Sequence, residues 1–201
     1  MNDAVSSMAL RRAVTAVALL NLAYFGVEFT VARAIGSVSL FADSIDFLED
    51  TAVNGLILVG LRWHGRGRAK LAMGLAAVLL LPGLATAWTA WQQWQSMRVP
   101  APEPLVLTGL GALVVNLSCA FLLVTVQHVH GSLSRAAFLS ARNDAIANVA
   151  IIGAGAVTLW RQSAWPDLLV GLGILVINLD AAREVFSAAK AEHRVTQVAK
   201  P

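Results

Sequence analysis

The chain has 201 residues, 57% hydrophobic and 13% charged, against ~45–50% and ~25% for a soluble domain. This argues against a soluble globular protein and excludes disorder, and the single cysteine, Cys119, excludes a disulfide scaffold. The net charge is +3, and the basic residues stand between apolar runs. That is the sided charge of a membrane protein rather than a nucleic-acid surface.

Six apolar segments follow in order, at 13–34, 39–61, 71–91, 105–126, 136–160 and 168–186. Each approaches the ~20 residues that a spanning helix needs. Gly36-Ser37, the run from His64 to Arg68, the prolines 100, 102 and 104, and His130-Gly131 separate the first five. Ser163 to Pro166 precedes the sixth, with Pro166 placed for a helix start. The predicted fold is all-α, a six-span transmembrane helical bundle. Residues 1–12 form a cytoplasmic N-terminal segment, 13–186 the membrane domain and 187–201 a short cytoplasmic tail. No cleavable signal is evident, because the apolar run after Arg11-Arg12 is too long for a signal core.

Orientation follows from the cations. With both termini on one side, that side receives Arg11, Arg12, Arg62, Arg66, Arg68, Lys70, Arg135, Arg183, Lys190, Arg194 and Lys200. The other side receives Arg33, Arg98 and Arg161, so the terminal side is cytoplasmic. Trp88, Trp91, Trp94, Trp160 and Trp165 fall at the outer ends and Trp63 at the inner, which reads as interfacial anchoring.

The second segment carries Asp43, Asp46, Glu49 and Asp50 where lipid depth is expected. Acids there are costly and by default mark a pathway or a site. At ~100° per residue, Asp43, Asp46, Asp50 and Asn54 share a stripe ~80° wide, and Glu49 lies off it. The fifth segment carries Ser140, Asp144 and Asn148 at helical spacing. Asp50 and Asp144 each lie ~18 Å from the cytoplasmic end of their segment, near mid-membrane. Carboxylates meeting there repel, and a divalent cation or protons relieve the repulsion. The residues therefore define a hard-ligand metal site that also titrates. Glu28 shares a face of the first segment with Asn21 and lines a vestibule or satisfies its neighbours. Arg142 points away from Asp144 and is expected to pair with Glu49 or Glu28, or to snorkel. His128 and His130 are candidates for metal capture at the cytoplasmic entrance. Asn116, Ser118, Thr125 and Asn178 read as helix-packing residues. No nucleophile–base pair and no cofactor fingerprint is present, so no enzyme and no prosthetic group is expected.

The passage NLAYFGVEFTVARAIGSVSLFADSIDFLED resembles the cation diffusion facilitator family, proton-coupled exporters of zinc and related divalent metals. The family has an N…E…G-S-x-S-L-x-A-D pattern there, followed by a His/Asp-x-x-x-Asp motif that falls on Asp46 to Asp50. A second such motif falls on Ser140 to Asp144, with Asn148 four residues on. Pro166-Asp167 and Gly171 also look like the family. The resemblance implies efflux of a divalent transition metal by alternating access, with Asp46, Asp50, Ser140 and Asp144 as ligands. Asp43, Asn54, Asn143, Asn148 and Glu28 stand as secondary or pathway residues. Zinc is the first expectation, with Mn2+, Fe2+, Co2+ or Cd2+ as alternatives. Protons and membrane lipid are the other partners, and nucleic acid is not one. A homodimer held through its spans and a bacterial inner membrane are implied.

Two departures stand out. Ser140 occupies the place of the usual zinc-binding histidine, leaving carboxylates and a hydroxyl. Oxygen-only sites suit manganese or magnesium better than zinc. A ~15-residue tail is also too short for the family's cytoplasmic ferredoxin-like domain. A manganese-, iron-, cobalt- or magnesium-preferring exporter and a non-transporting regulatory membrane subunit are the competing readings.

Overall fold

The structure is a computed structural model describing residues 2–60, 83–130 and 132–179, with side chains described over 8–58, 83–125 and 141–179. Trp63, the beginning of the third segment and residues 180–201 lie outside the described residues. So do the side chains of His128, His130 and Ser140.

Among the described residues there are six helices and no strand. They are α1 (Asn2–Ile35), α2 (Val38–Gly60), α3 (83–96), α4 (Pro102–His130), α5 (Ser132–Arg161) and α6 (Trp165–Leu179). Helix α1 is continuous from Asn2. Leu10 and Val14 are buried against Ile57 and Leu58 of α2. Pro102 opens α4, where its missing N–H costs nothing. Among the described residues, three helical stretches are long and apolar enough to cross a membrane: Met8–Ile35, Pro102–Thr125 and Ala141–Arg161.

Three helix ends share one device, a residue in the left-handed region that turns the last N–H groups back. Gly36 (φ 73°) donates to Ala32 O at 2.9 Å, and Ser37 N reaches the same oxygen at 3.0 Å. Met97 (φ 47°) ends α3 through Gln93 O, and Gln162 (φ 49°) ends α5 through Thr158 O. Glycine suits the first position. Met97 and Gln162 carry a Cβ into the same region, so composition did not announce those two stops.

Helix α4 packs along α5 and α1 along α2, with α1 also against α4 and α2 against α5. Close approach needs small residues at the crossings. A Cβ on Gly155 of α5 would lie 2.6 Å from Val106 of α4. A Cβ on Gly171 of α6 would lie 2.6–2.8 Å from Val38 and the Ser39 backbone nitrogen at the start of α2. Asp167 clamps that same start. It accepts from Ser37 Oγ (2.6 Å), Val38 N (2.8 Å), Ser39 Oγ (2.5 Å) and Ser39 N (3.3 Å). Since α2 and α6 both begin at this clamp, they run parallel.

The distribution of polarity is the reverse of a soluble fold. Phe121, Leu107 and Val114 are among the large apolar residues that face outward, while Asn21, Glu28, Asp43 and Asn148 are completely buried. Apolar surface outside and polar groups paired inside is what a lipid solvent selects. Trp88, Trp91, Trp94, Trp160 and Trp165 are all exposed, Trp160 most so at 79%. Trp94 and Trp165 meet edge to face at 5.2 Å.

A candidate cation site lined with carboxylates

Helix α2 places Asp43, Asp46 and Asp50 on one face, and each aspartate receives an amide from a different helix. Asn148 of α5 donates to Asp43 Oδ2, and Asn116 of α4 donates to Asn148 Oδ1 at 2.9 Å behind it. Asn178 of α6 donates to Asp46 Oδ1. Asn21 of α1 donates to Asp50 Oδ2 at 3.3 Å, while Cys119 Sγ contacts Asn21 Oδ1 at 3.4 Å. A buried carboxylate without a donor is strongly unfavourable, and these amides answer that cost without adding a competing cation. Asn54 turns its amide nitrogen onto its own helix, at Asp50 O.

Among the described residues, both carboxyl oxygens of Glu28, Asp43 Oδ1 and Asn54 Oδ1 are buried without an amide or hydroxyl donor, and the Glu28 and Asp43 carboxyls are neighbours that can share a proton. Buried polar atoms are ordinarily paired. The adjoining Glu28 and Asp43 oxygens favour a cation or a proton between them, and Asn54 Oδ1 is a further unanswered acceptor lower on α2.

Asp46 and Asp144 line one cavity of ≈ 450 Å³ between α2, α5 and α6. Its other polar groups are Asn143 and Asn178, and the remaining wall is apolar, including Ile146 and Ile174. Asp50 turns toward α1 instead of lining this cavity. It is still close enough for its charge to act on both Asp46 and Asp144. Among the described residues, no three His, Cys, Asp or Glu side chains are gathered closely enough to hold one ion. Asp46 and Asp50 thus share a face of α2 while their amide partners come from different helices, α6 and α1.

Other expectations resolve differently. Arg142 is exposed and donates to its neighbour Asn143 at 3.3 Å. Of the three alternatives for Arg142, its exposure fits snorkelling, and among the described residues Glu28 receives nothing from it. The Arg142 side chain leaves the α5 face that carries Asp144, so the buried acid cannot reach it. Ser118 and Thr125 bond their own helix backbone, at Val114 O and Leu122 O, as isolated hydroxyls on spans do. Asn178, expected to pack helices, meets the carboxylate of Asp46 instead. Its isolation in an otherwise apolar stretch was the available signal.

Apolar helices of membrane-spanning length around an acid-lined interior define an integral membrane protein with a cation-attracting core. The profile of the cation efflux transmembrane domain matches residues 14–191. The chain is 30% identical over 200 residues to the cation-efflux pump FieF of Pectobacterium atrosepticum, covering 90% of this chain and 65% of that protein. It is 29% identical over 193 residues to the cation-efflux pump FieF of Salmonella typhi, covering 89% of this chain and 62% of that protein. The chain therefore spans between 62% and 65% of the length of these relatives. It belongs to the cation efflux family, the cation diffusion facilitators.

Proposed function

We propose that this protein carries a divalent transition-metal cation out of the cytoplasm by alternating access, with protons moving the other way. Transport, not catalysis, is its activity. Asp46, Asp50 and Asp144 bind the ion, and Ser140 contributes a weak or water-mediated oxygen. Residues 13–186 are the transport domain, crossing a bacterial inner membrane six times with both termini cytoplasmic. His128 and His130 lie at the cytoplasmic entrance, and a homodimer forms through the spans. The observation that carries the reading is the surplus of buried acceptor oxygens around the α2 aspartates. An interior of this kind favours a positive charge and gives a neutral solute little reason to enter.

The cycle follows from competition. Metal binds carboxylates from which protons have left, so the ion and protons exchange at one set of oxygens. In the present geometry Asp46 and Asp50 are held by α6 and α1 respectively. Gathering them with Asp144 around an ion requires these helices to shift, and a protein that must rock between two openings makes such a shift. Zinc is the family-level cargo. The oxygen-only donor set gives a second reading, a manganese-preferring exporter, because hard oxygen ligands lose less with manganese than with zinc.

Flux in proteoliposomes under a pH gradient tests the proposal, comparing Zn2+, Mn2+, Fe2+ and Co2+. Flux that requires both the gradient and Asp144 supports it. Tight binding of these ions with no flux of any would replace it with a metal-binding regulatory subunit.

A further inference from the structure

We infer that Asn178 is a positioning and ion-selecting residue: its amide holds Asp46 at the wall of the α2–α5–α6 cavity, and its carbonyl oxygen serves the cation bound there. The inference rests on the reading of Asp46 and Asp144 as cation ligands.

Residues 168–179 of α6 read LLVGLGILVINL, so Asn178 is the sole polar side chain over that stretch. An amide at this depth is costly without a partner, which by itself gives no direction. The structure supplies the direction. Val170, Ile174 and Ile177 make an apolar stripe along the cavity, and Asn178 follows it, in contact with Asp46 and lining the same cavity as Asp144. Its Nδ2 donates to Asp46 Oδ1, one of the two oxygens of that carboxylate. The other carboxylate oxygen remains available, so Asp46 is set up for one-oxygen coordination. The second end of the amide is a neutral carbonyl oxygen on a side chain that lines the same cavity.

The height of Asn178 against Asp46 is set from the other end of the helix. Asp167 fastens α6 to the start of α2 through Ser37, Val38 and Ser39. Counting from that clamp, Asp46 lies ~12 Å along α2 and Asn178 ~16 Å along α6, a difference smaller than one helical turn. Parallel helices fastened at the start therefore bring the two side chains level. Slipping α6 by a turn would break either the clamp or the Asp46 contact.

Chemistry gives the consequence. Adding an amide oxygen to the proposed aspartates makes a hard, loosely organised donor set that suits an ion tolerant of higher coordination numbers, such as Mn2+. A residue that only packed α6 against α2 would influence all ions alike, through folding. A residue beside the ion alters the order of preference.

The test is equilibrium binding of Mn2+ and Zn2+ to the purified full chain in detergent, for the parent, Asn178→Leu, Asn178→His, Asn178→Gln and Asp144→Ala. Partners of metal ligands typically change affinity by about 10–100-fold when removed. Asn178→Leu should weaken Mn2+ by at least about tenfold and Zn2+ by less than about threefold. Asn178→His, which supplies a nitrogen donor, should tighten Zn2+ and reverse the preference. Asn178→Gln, with the same amide, should keep the parental order. If Asp144→Ala abolishes binding while Leu and His leave the Mn2+ to Zn2+ ratio at its parental value, the inference on Asn178 is overturned and the site stands. If Asp144→Ala binds both ions as the parent does, the site itself is wrongly placed and the inference fails with it. Should Asn178→Leu not fold, the His and Gln variants decide the matter by the same ratio.

Discussion

Asp167→Ala removes the acceptor that organises the start of α2. Four donors lose their partner: Ser37 Oγ at 2.6 Å, Val38 N at 2.8 Å, Ser39 Oγ at 2.5 Å and Ser39 N at 3.3 Å. The longest is weak, and Ser37 Oγ still receives Leu40 N at 3.1 Å, so one cap survives. The two hydroxyls can rotate toward other acceptors, whereas Val38 N is fixed in the backbone. Hydrogen bonds to a charged group contribute ~1.5–3 kcal/mol each, so two effective losses total about 3–6 kcal/mol. Asp167 and its partners are fully buried, so water does not replace the lost bonds. At ~2–4 °C per kcal/mol for a chain of this size, the unfolding midpoint should fall by about 10 °C. Thermal unfolding in detergent micelles, read by loss of the monodisperse size-exclusion peak, measures this. Asp167→Asn keeps the shape and one acceptor oxygen and should lose about half as much. A midpoint for Asp167→Ala within about 2 °C of the parent would refute the clamp as a main support of the α2–α6 pair.

The remaining predictions concern packing, selectivity and pH. Gly171→Ala puts a methyl group against the Val38 and Ser39 backbone, so it should lower the unfolding midpoint by several degrees, at an overpacking cost of about 1–3 kcal/mol. Tyr24→Phe removes the 2.6 Å hydrogen bond to Thr108 O while keeping the ring contact with Phe47. It should cost about 1 kcal/mol in the same assay and leave ion preference unchanged. Ser140→His should raise zinc transport relative to manganese in proteoliposomes, and an unchanged ratio would remove Ser140 from the ligand set. Apparent metal affinity should fall as pH is lowered, because protons and metal compete for the same carboxylates. Titrations of Zn2+ or Mn2+ binding at stepped pH check the sign, and binding insensitive to acid would place the ion elsewhere.

Much of the molecule was legible in one dimension. Apolar runs of spanning length, broken by glycine, proline and basic clusters, foretold the helices, because a lipid solvent demands long apolar stretches with internally paired backbone. Helix ends were harder to see. Met97 and Gln162 stop their helices in a conformation that glycine usually marks. The start of α1 at Asn2 was also hidden, because a polar stretch can be helical once Leu10 and Val14 find α2 to pack on.

The acids on α2 follow the same division. Helical periodicity is local, so sequence alone put Asp43, Asp46 and Asp50 on one face and set Asp144 on a facing stripe. Which amide meets which acid depends on the rotation and height of neighbouring helices. Those are determined by contacts distant in sequence, such as Gly171 against Val38 and Asp167 against Ser37 and Ser39. Only the tertiary structure could therefore pair Asn148 with Asp43, Asn178 with Asp46 and Asn21 with Asp50. The sequence by itself determined that acids would share one face of α2. Packing decided that three different helices would each hold one of them, because a side chain's partners depend on where its helix docks.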